Sequence, residues 1–445
     1  MNPLAQELNT LIKTLNPHVF EMLSDMGKNL FFPKGILTQS AEAKLKADKI
    51  NATIGIAKQD GVVMNLPSIA GLVSGIDPEH FLPYAPSFGL PELRKIWKSS
   101  LYLKNPSLEN RAIGLPVVTS GITHAISTFA DLFVNPGESV ILPDMMWGNY
   151  SLTFHVRNRA EIALYNTFKA DLTGLDLDSF ETTVRREAQK SGKVIIVLNF
   201  PNNPSGYSPT VEEGQRIAQI VTDVADTGAN VVVAFDDAYF GLFFEDETMK
   251  ESVFSLLANT HERILAVKLD GASKEDYVWG LRVGFVTYGT KVASNQAGNN
   301  QNDALYEALE KKTAGCIRAS ISNCSHLGQS IVLKSMADEN YQAYKQEKFD
   351  RLKERAMEIK AVLRDPKYSP LFDVYPFNSG YFMCIRLKTV DAETLRVHLL
   401  DTYGTGVIAI GSKNIRVAFS CLEPGDIGLM FDTILMGISD LMTAD

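Results

Sequence analysis

Residues 193–241 read KVIIVLNFPNNPSGYSPTVEEGQRIAQIVTDVADTGANVVVAFDDAYFG. Two Val/Ile-rich runs, KVIIVLNF (193–200) and NVVVAFDD (230–237), bracket a helix-like stretch, VEEGQRIAQIVTDVADTG (211–228). Apolar residues run on without alternating, the pattern of strands covered on both faces. A helix of more than ten residues between two such strands is the crossover of a βαβ unit. The pattern extends outward. LPVVTS (115–120) leads into GITHAISTFADLF (121–133), a helical period that stops at the turn Asn135-Pro136-Gly137. SVILPD (139–144) and RILAVKLDG (263–271) supply further short strands. The expected architecture is α/β, with a mostly parallel sheet of the seven-stranded type flanked by helices.

The flanks differ. Residues 1–60 read as mostly helical, with Gly55 inside a short apolar stretch, INATIGIA (50–57). A charged helical run, YQAYKQEKFDRLKERAMEIKAVLRD (341–365), precedes a tail with strand-like pieces, SGYFMCIRL (379–387) and IRVAFS (415–420). The division expected is an N-terminal arm and part of a small domain over 1–60, a large domain over 61–330, and a smaller α+β domain over 331–445.

Composition narrows the function. The chain has 445 residues, 45% hydrophobic and 21% charged, which excludes collagen-like, disordered and coiled-coil classes. A net charge of −9 without a basic stripe argues against a nucleic-acid partner. Four cysteines with no CxxC pair imply a reducing compartment, with neither a disulfide framework nor a zinc site. The N-terminus lacks a basic region followed by an apolar core, and no apolar run approaches the ~20 residues that span a bilayer. A cytoplasmic protein without a membrane or metal partner is expected. Phosphate-loop, GxGxxG, HExxH and GxSxG motifs are all missing from the sequence.

In parallel α/β sheets, ligands sit at the carboxyl ends of the strands. Polar or aromatic residues of different chemistry stand there: Ser120-Gly121, Trp147, Asn203, Asp236 and Lys274. Any one of them has a bland explanation: a surface lysine, a strand-end acid bonded to a loop, an Asn-Pro turn, a core tryptophan. Arg282, eight residues after Lys274, changes the balance. An amine and a guanidinium near one strand end suit an aldehyde and a phosphate on a single cofactor. Pyridoxal phosphate needs a lysine, an acid for its pyridine nitrogen and donors for its phosphate. Asp236 fits the acid, and Tyr239 fits a donor to the ring's phenolic oxygen. Alternation along the strand turns Asp237 the other way. Free N–H groups where Ser120-Gly121-Ile122-Thr123 opens a helix suit a phosphate. Arg416, on a late strand, has the fork for a carboxylate.

The order Tyr84, Ser120-Gly121, Trp147, Asn203-Pro204-Ser205-Gly206, Asp236-x-x-Tyr239, Ser273-Lys274, Arg282, Arg416 resembles class I/II aminotransferases of pyridoxal-phosphate fold type I. The Trp-Gly-Asn at 147–149 is most similar to the aspartate/aromatic branch. The resemblance runs from about residue 50 to 420. It implies that Lys274 carries pyridoxal 5′-phosphate in Schiff-base linkage and moves the substrate's Cα proton. It implies that Asp236 pairs with the ring nitrogen, that Asn203 and Tyr239 hold the phenolic oxygen, and that Trp147 stacks on the ring. Ser120, Gly121, Ile122, Ser273 and Arg282 would bind phosphate. Tyr84 would reach across from a second subunit, so that a homodimer follows. Arg416, with the backbone around Gly55, would grip the α-carboxylate, with Trp147 and Asn203 beside it. Arg318, in CIRASISN, is similar to the segment that reads a distal carboxylate across the dimer. Gly271 stands where the family often has serine, and Ile122 where threonine is common. The implied reaction is ping-pong transfer of an amino group between an acidic or aromatic L-amino acid and a 2-oxo acid. A β-lyase on the same fold is the alternative, distinguished by release of pyruvate and ammonia without an acceptor. A transcriptional regulator built on this fold would carry a basic DNA-binding module in front, which residues 1–50 are too short to form.

Overall fold

The computed structural model describes residues 1–15, 17–23, 25–30, 35–292 and 301–443. Its centre is a seven-stranded sheet: β1 (Val117–Thr119), β2 (Ser139–Pro143), β3 (Glu161–Tyr165), β4 (Lys193–Asn199), β5 (Asn230–Asp236), β6 (Ile264–Asp270) and β7 (Gly284–Gly289). The spatial order is β1-β7-β6-β5-β4-β2-β3. β2 to β6 are parallel neighbours, while β7 runs antiparallel to both β1 and β6. The runs at 193 and 230 form the middle of the sheet, with every residue from Val194 to Asn199 and from Val231 to Asp236 buried.

Local chemistry fixes the crossovers. The helix between β4 and β5, Val211–Asp226, begins with a capping box: Thr210 Oγ1 accepts the Glu213 N–H, and the Glu213 side chain accepts the Thr210 N–H. Two otherwise unmet donors of the first turn are thereby satisfied. The helix after β1, Ile122–Phe133, turns Ile122, Ala125, Ile126 and Phe129 onto the sheet, as the 3.6 period predicts.

A second sheet lies nearer the C-terminus: β8 (Phe372–Val374), β9 (Phe382–Leu387), β10 (Ile408–Ile410) and β11 (Asn414–Ala418), antiparallel in the order β8-β9-β11-β10. The N-terminal segment joins this part, since Ile50–Asn51 pairs in parallel with Thr405–Gly406 and the Ala418 N–H donates to the Ala52 carbonyl. The long charged helix, Tyr341–Val362, links the two sheets. β3 and the reversed direction of β7 have no counterpart in the sequence reading.

Candidate active site

The carboxyl ends of β4, β5 and β6 converge on a cavity of about 190 Å³. Asn199, Asn203, Asp236, Tyr239 and Lys274 line it from these strand ends, with Ile122 and Trp147 from the loops after β1 and β2. Gly55, Phe382 and Arg416 close it from the other sheet and the N-terminal segment.

Asp236 ends β5 and is fully buried. Its Oδ2 accepts the Tyr150 hydroxyl at 2.5 Å and its Oδ1 the Ala238 N–H at 3.2 Å. Burial pushes its carboxyl up to about 6, against the pull of the Tyr150 hydrogen bond and the Lys274 ammonium. Asp237, one residue on, faces the opposite way, into an ion pair with Lys268 and a 2.6 Å bond from Ser252 Oγ. Lys274 follows β6, its Nζ 5.1 Å from the centre of the Tyr239 ring. Burial lowers its ammonium to about 8, Asp236 opposes that and Arg282 adds to it. An amine so lowered is available as a base close to neutral pH.

Beside Lys274 is an anion cradle. Gly121 opens the helix Ile122–Phe133 with φ +75° and ψ 173°, a conformation almost confined to glycine. A Cβ there would lie 2.5 Å from Arg282 Nη2, so the guanidinium packs straight onto the helix N-terminus. Arg282 donates to the Trp279 carbonyl and, among the described residues, forms no ion pair. Of the four N–H groups that the sequence offered in Ser120-Gly121-Ile122-Thr123, two are free. The Ser120 N–H is taken by His124 Nδ1 and the Gly121 N–H by the Thr119 carbonyl, while those of Ile122 and Thr123 have no partner among the described residues. Ser273 Oγ, also buried, has none either. A guanidinium without an acid, two free helix N–H groups and an orphaned hydroxyl fit a phosphate. Gly271 has a packing cause: a Cβ there would sit 2.7 Å from the Val283 carbonyl, so a serine would force β7 away.

At the opposite side, Arg416 on β11 is fully buried. Its Nη1 donates to Asn203 Oδ1 at 3.0 Å and its Nη2 to the Thr53 carbonyl at 2.9 Å. Its guanidinium lies 4.2 Å from the centre of the Phe382 ring. Neutral partners, with Nε unpaired, leave the positive charge uncompensated in a cavity wall.

The structure does not bring Tyr84 or Arg318 to this cavity. Tyr84 is 91% exposed, and Arg318 is exposed on the helix Gln301–Ser320, donating to Ser322 Oγ. Contributors outside the sequence reading include Tyr150, the Thr53 carbonyl, Asn199, Trp279, Phe382 and Ile36. Tyr150 had a signal, being one helical turn after Trp147, whose ring it meets edge-on at 5.7 Å. Trp279 and Ile36 line the cavity, the latter from the helix Ile36–Lys46.

Residues 69–430 match the family model for aminotransferase class I and II. The chain is 23% identical over 297 residues to tyrosine aminotransferase of Bos taurus, covering 66% of this chain and 62% of that enzyme's length. It is 25% identical over 378 residues to aspartate aminotransferase of Escherichia coli, covering 83% and 89%. A crystal structure of an aminotransferase from Anaerococcus prevotii superposes with a TM-score of 0.81 at 22% identity, covering 93% of this chain and 98% of that one. With four-fifths of its length matched by the family model, the chain belongs to the class I and II aminotransferases.

Proposed function

We propose that the protein is a pyridoxal-phosphate-dependent aminotransferase that moves an amino group between an acidic or aromatic L-amino acid and a 2-oxo acid, in two half-reactions. The observation that carries this reading is one cavity holding a lowered lysine, a buried acid and an uncompensated arginine, with an anion cradle beside the lysine. When bound, pyridoxal 5′-phosphate supplies an electron sink for the charge left at the substrate's Cα. Arg282, the N–H groups of Ile122 and Thr123, and Ser273 would hold its phosphate. Asp236 would pair with its ring nitrogen, Asn203 and Tyr239 with its phenolic oxygen, and Trp147 with its ring face. Arg416 receives the substrate's α-carboxylate, which gives the buried guanidinium its missing counter-charge. With the carboxylate fixed, the Cα–H is presented to Lys274 Nζ, which accepts the proton as a neutral amine. Phe382 and Ile36 give part of the cavity wall an apolar surface.

The same reading takes residues 1–60 as an arm and part of a small domain, 61–330 as the cofactor domain and 331–445 as the rest of the small domain. It makes the enzyme a homodimer, with Tyr84 and Arg318 serving the partner's cavity. Their exposure, and that of Leu82 at 72%, supports this. Four unpaired cysteines support a cytoplasmic setting, and no helix among the described residues is long and apolar enough to cross a membrane.

The test is the absorbance of purified protein with pyridoxal phosphate, titrated separately with aspartate, glutamate, phenylalanine and alanine, with Lys274→Ala as control. Conversion of the cofactor band to that of pyridoxamine phosphate by acidic or aromatic donors, abolished in the control, is expected. A band that no amino acid shifts, or pyruvate and ammonia released without an acceptor, refutes the reading.

A further inference from the structure

A second and larger cavity, about 410 Å³, backs onto the same two segments that build the first. Neighbouring residues divide between them. Tyr239 and Lys274 line the first cavity, Phe240 and Glu275 the second. Its other wall is the linking helix, through Lys345, Gln346 and Phe349. The volume falls within the range of small-molecule clefts, roughly 300–1,000 Å³.

Its lining is positive in a chain of net charge −9: three ammoniums, Lys104, Lys250 and Lys345, against the single carboxylate of Glu275. Lys104 and Lys345 (2.9 Å) both clamp Glu275, and Lys345 also reaches Asp276 at 3.2 Å. Burial would raise the Glu275 carboxyl, and the two ammoniums overcome it, holding the group well below the usual range. Lys250 has no such partner at bonding distance; the carboxylates of Asp246, Glu245 and Glu247 act on it only from further off, and burial outweighs them. Its Nζ meets only the main-chain carbonyls of Phe243 and Glu245 and forms no ion pair among the described residues. The apolar part is aromatic: Phe240 and Phe243 packed edge-on at 5.4 Å, with Tyr277 and Phe349 beside them. A cation with no carboxylate at bonding distance, next to clustered rings, suits one chemistry, a carboxylate on a flat apolar body.

We propose that this cavity binds an organic monocarboxylate with an aromatic body, its carboxylate on Lys250 and its ring among Phe240, Phe243 and Phe349. The bound acid lies against Glu275 and Phe240, each one residue from a group in the first cavity, so occupancy changes turnover without competing for the substrate's place. Binding stands independently of the aminotransferase reading; only the effect on turnover rests on it.

The probe is 3-phenylpropanoate, titrated calorimetrically into cofactor-loaded wild type, Lys250→Met and Gln346→Glu. Gln346 is exposed on the linking helix at the cavity rim and donates only to the exposed Asp350, at 2.8 Å, so Gln346→Glu gives up one surface hydrogen bond and tests charge repulsion without disturbing the core. A binding component that weakens about tenfold in both variants is expected, with the amino donor's KM within twofold of wild type. Inhibition by the probe should then contain a part that raising the amino donor does not relieve. Isotherms of folded variants that superimpose on wild type overturn the proposal. So does inhibition of wild type that the amino donor relieves completely. The calorimetric arm requires no turnover, which separates its failure from that of the proposed reaction.

Discussion

Tyr150→Phe isolates the group that keeps Asp236 charged. In the wild type, Asp236 is fully buried and its carboxyl is raised to about 6 from the ordinary 3.8. A folded-state value above the unfolded one means that the group's contribution to stability is fully present below pH 3.8 and is lost as the pH rises through about 6. Above that, the buried carboxylate costs about 3 kcal/mol, from 1.36 kcal/mol per unit. The 2.5 Å bond from Tyr150 is the largest of the effects, with the Lys274 ammonium and the Ala238 N–H, that prevent a larger penalty. A hydrogen bond to a charged group contributes about 1.5–3 kcal/mol. Phenylalanine fills the same space without the donor, so the midpoint should climb by about one to two units, to between about 7 and 8. Carbon-13 NMR of cofactor-free protein labelled at the aspartate carboxyls, with Asp236→Asn to assign the resonance, reads the midpoint directly. In the loaded enzyme the acid limb of kcat/KM should move the same way. A Tyr150→Phe midpoint within 0.3 units of wild type would show that the hydroxyl does not support the charge. A wild-type midpoint near the ordinary aspartate value would show that burial there is not desolvating.

Gly121→Ala places a Cβ against the Arg282 guanidinium in a backbone conformation costing about 1–3 kcal/mol for alanine, so cofactor affinity should fall about tenfold or more in a fluorescence titration. Unchanged affinity would mean that the cradle does not hold the phosphate. Arg416→Leu would remove the two charge-assisted hydrogen bonds proposed to the substrate, and kcat/KM for every amino donor should drop by about 10²–10⁴ while cofactor affinity stays within threefold. A parallel loss of cofactor would reassign Arg416 to the cofactor. Arg318→Leu should weaken aspartate and glutamate selectively in steady-state assays; an equal loss for phenylalanine would give Arg318 a role in packing only.

The strands were legible where burial on both faces wrote a continuous apolar run, as at 194–198 and 231–235. They were illegible where it did not. β3, EIALY, alternates buried Ala163 and Tyr165 with exposed Leu164, and its apolar stretch is four residues long with a single β-branched member. The direction of β7 is a property of topology, which no residue pattern within the strand encodes. Lys274, Asp236, Asn203 and Trp147 could be found because strand ends are where parallel sheets place ligands. Contributors from distant chain segments left weaker traces. The Thr53 carbonyl is a main-chain atom and has no residue signature at all. Trp279 and Ile36 are apolar residues whose placement depends on how the N-terminal helix and the turn before β7 pack. Tyr150 reads as core filler until its hydroxyl is seen on Asp236.

The grip on Arg416 spans almost the whole polypeptide. Its two hydrogen-bond partners lie 213 and 363 residues away in sequence, and Ile50–Asn51 waits for Thr405–Gly406 to complete their pairing. Loop closure over such separations is slow compared with local helix and hairpin formation. As the chain leaves the ribosome, Lys274, Asp236 and the cradle at Gly121 are all made well before residue 405 appears. The half proposed to engage the cofactor can therefore take shape while the half proposed to select the substrate is still unmade. A chain cut before residue 405 loses more than Arg416, because its first fifty residues also lose the edge they dock on.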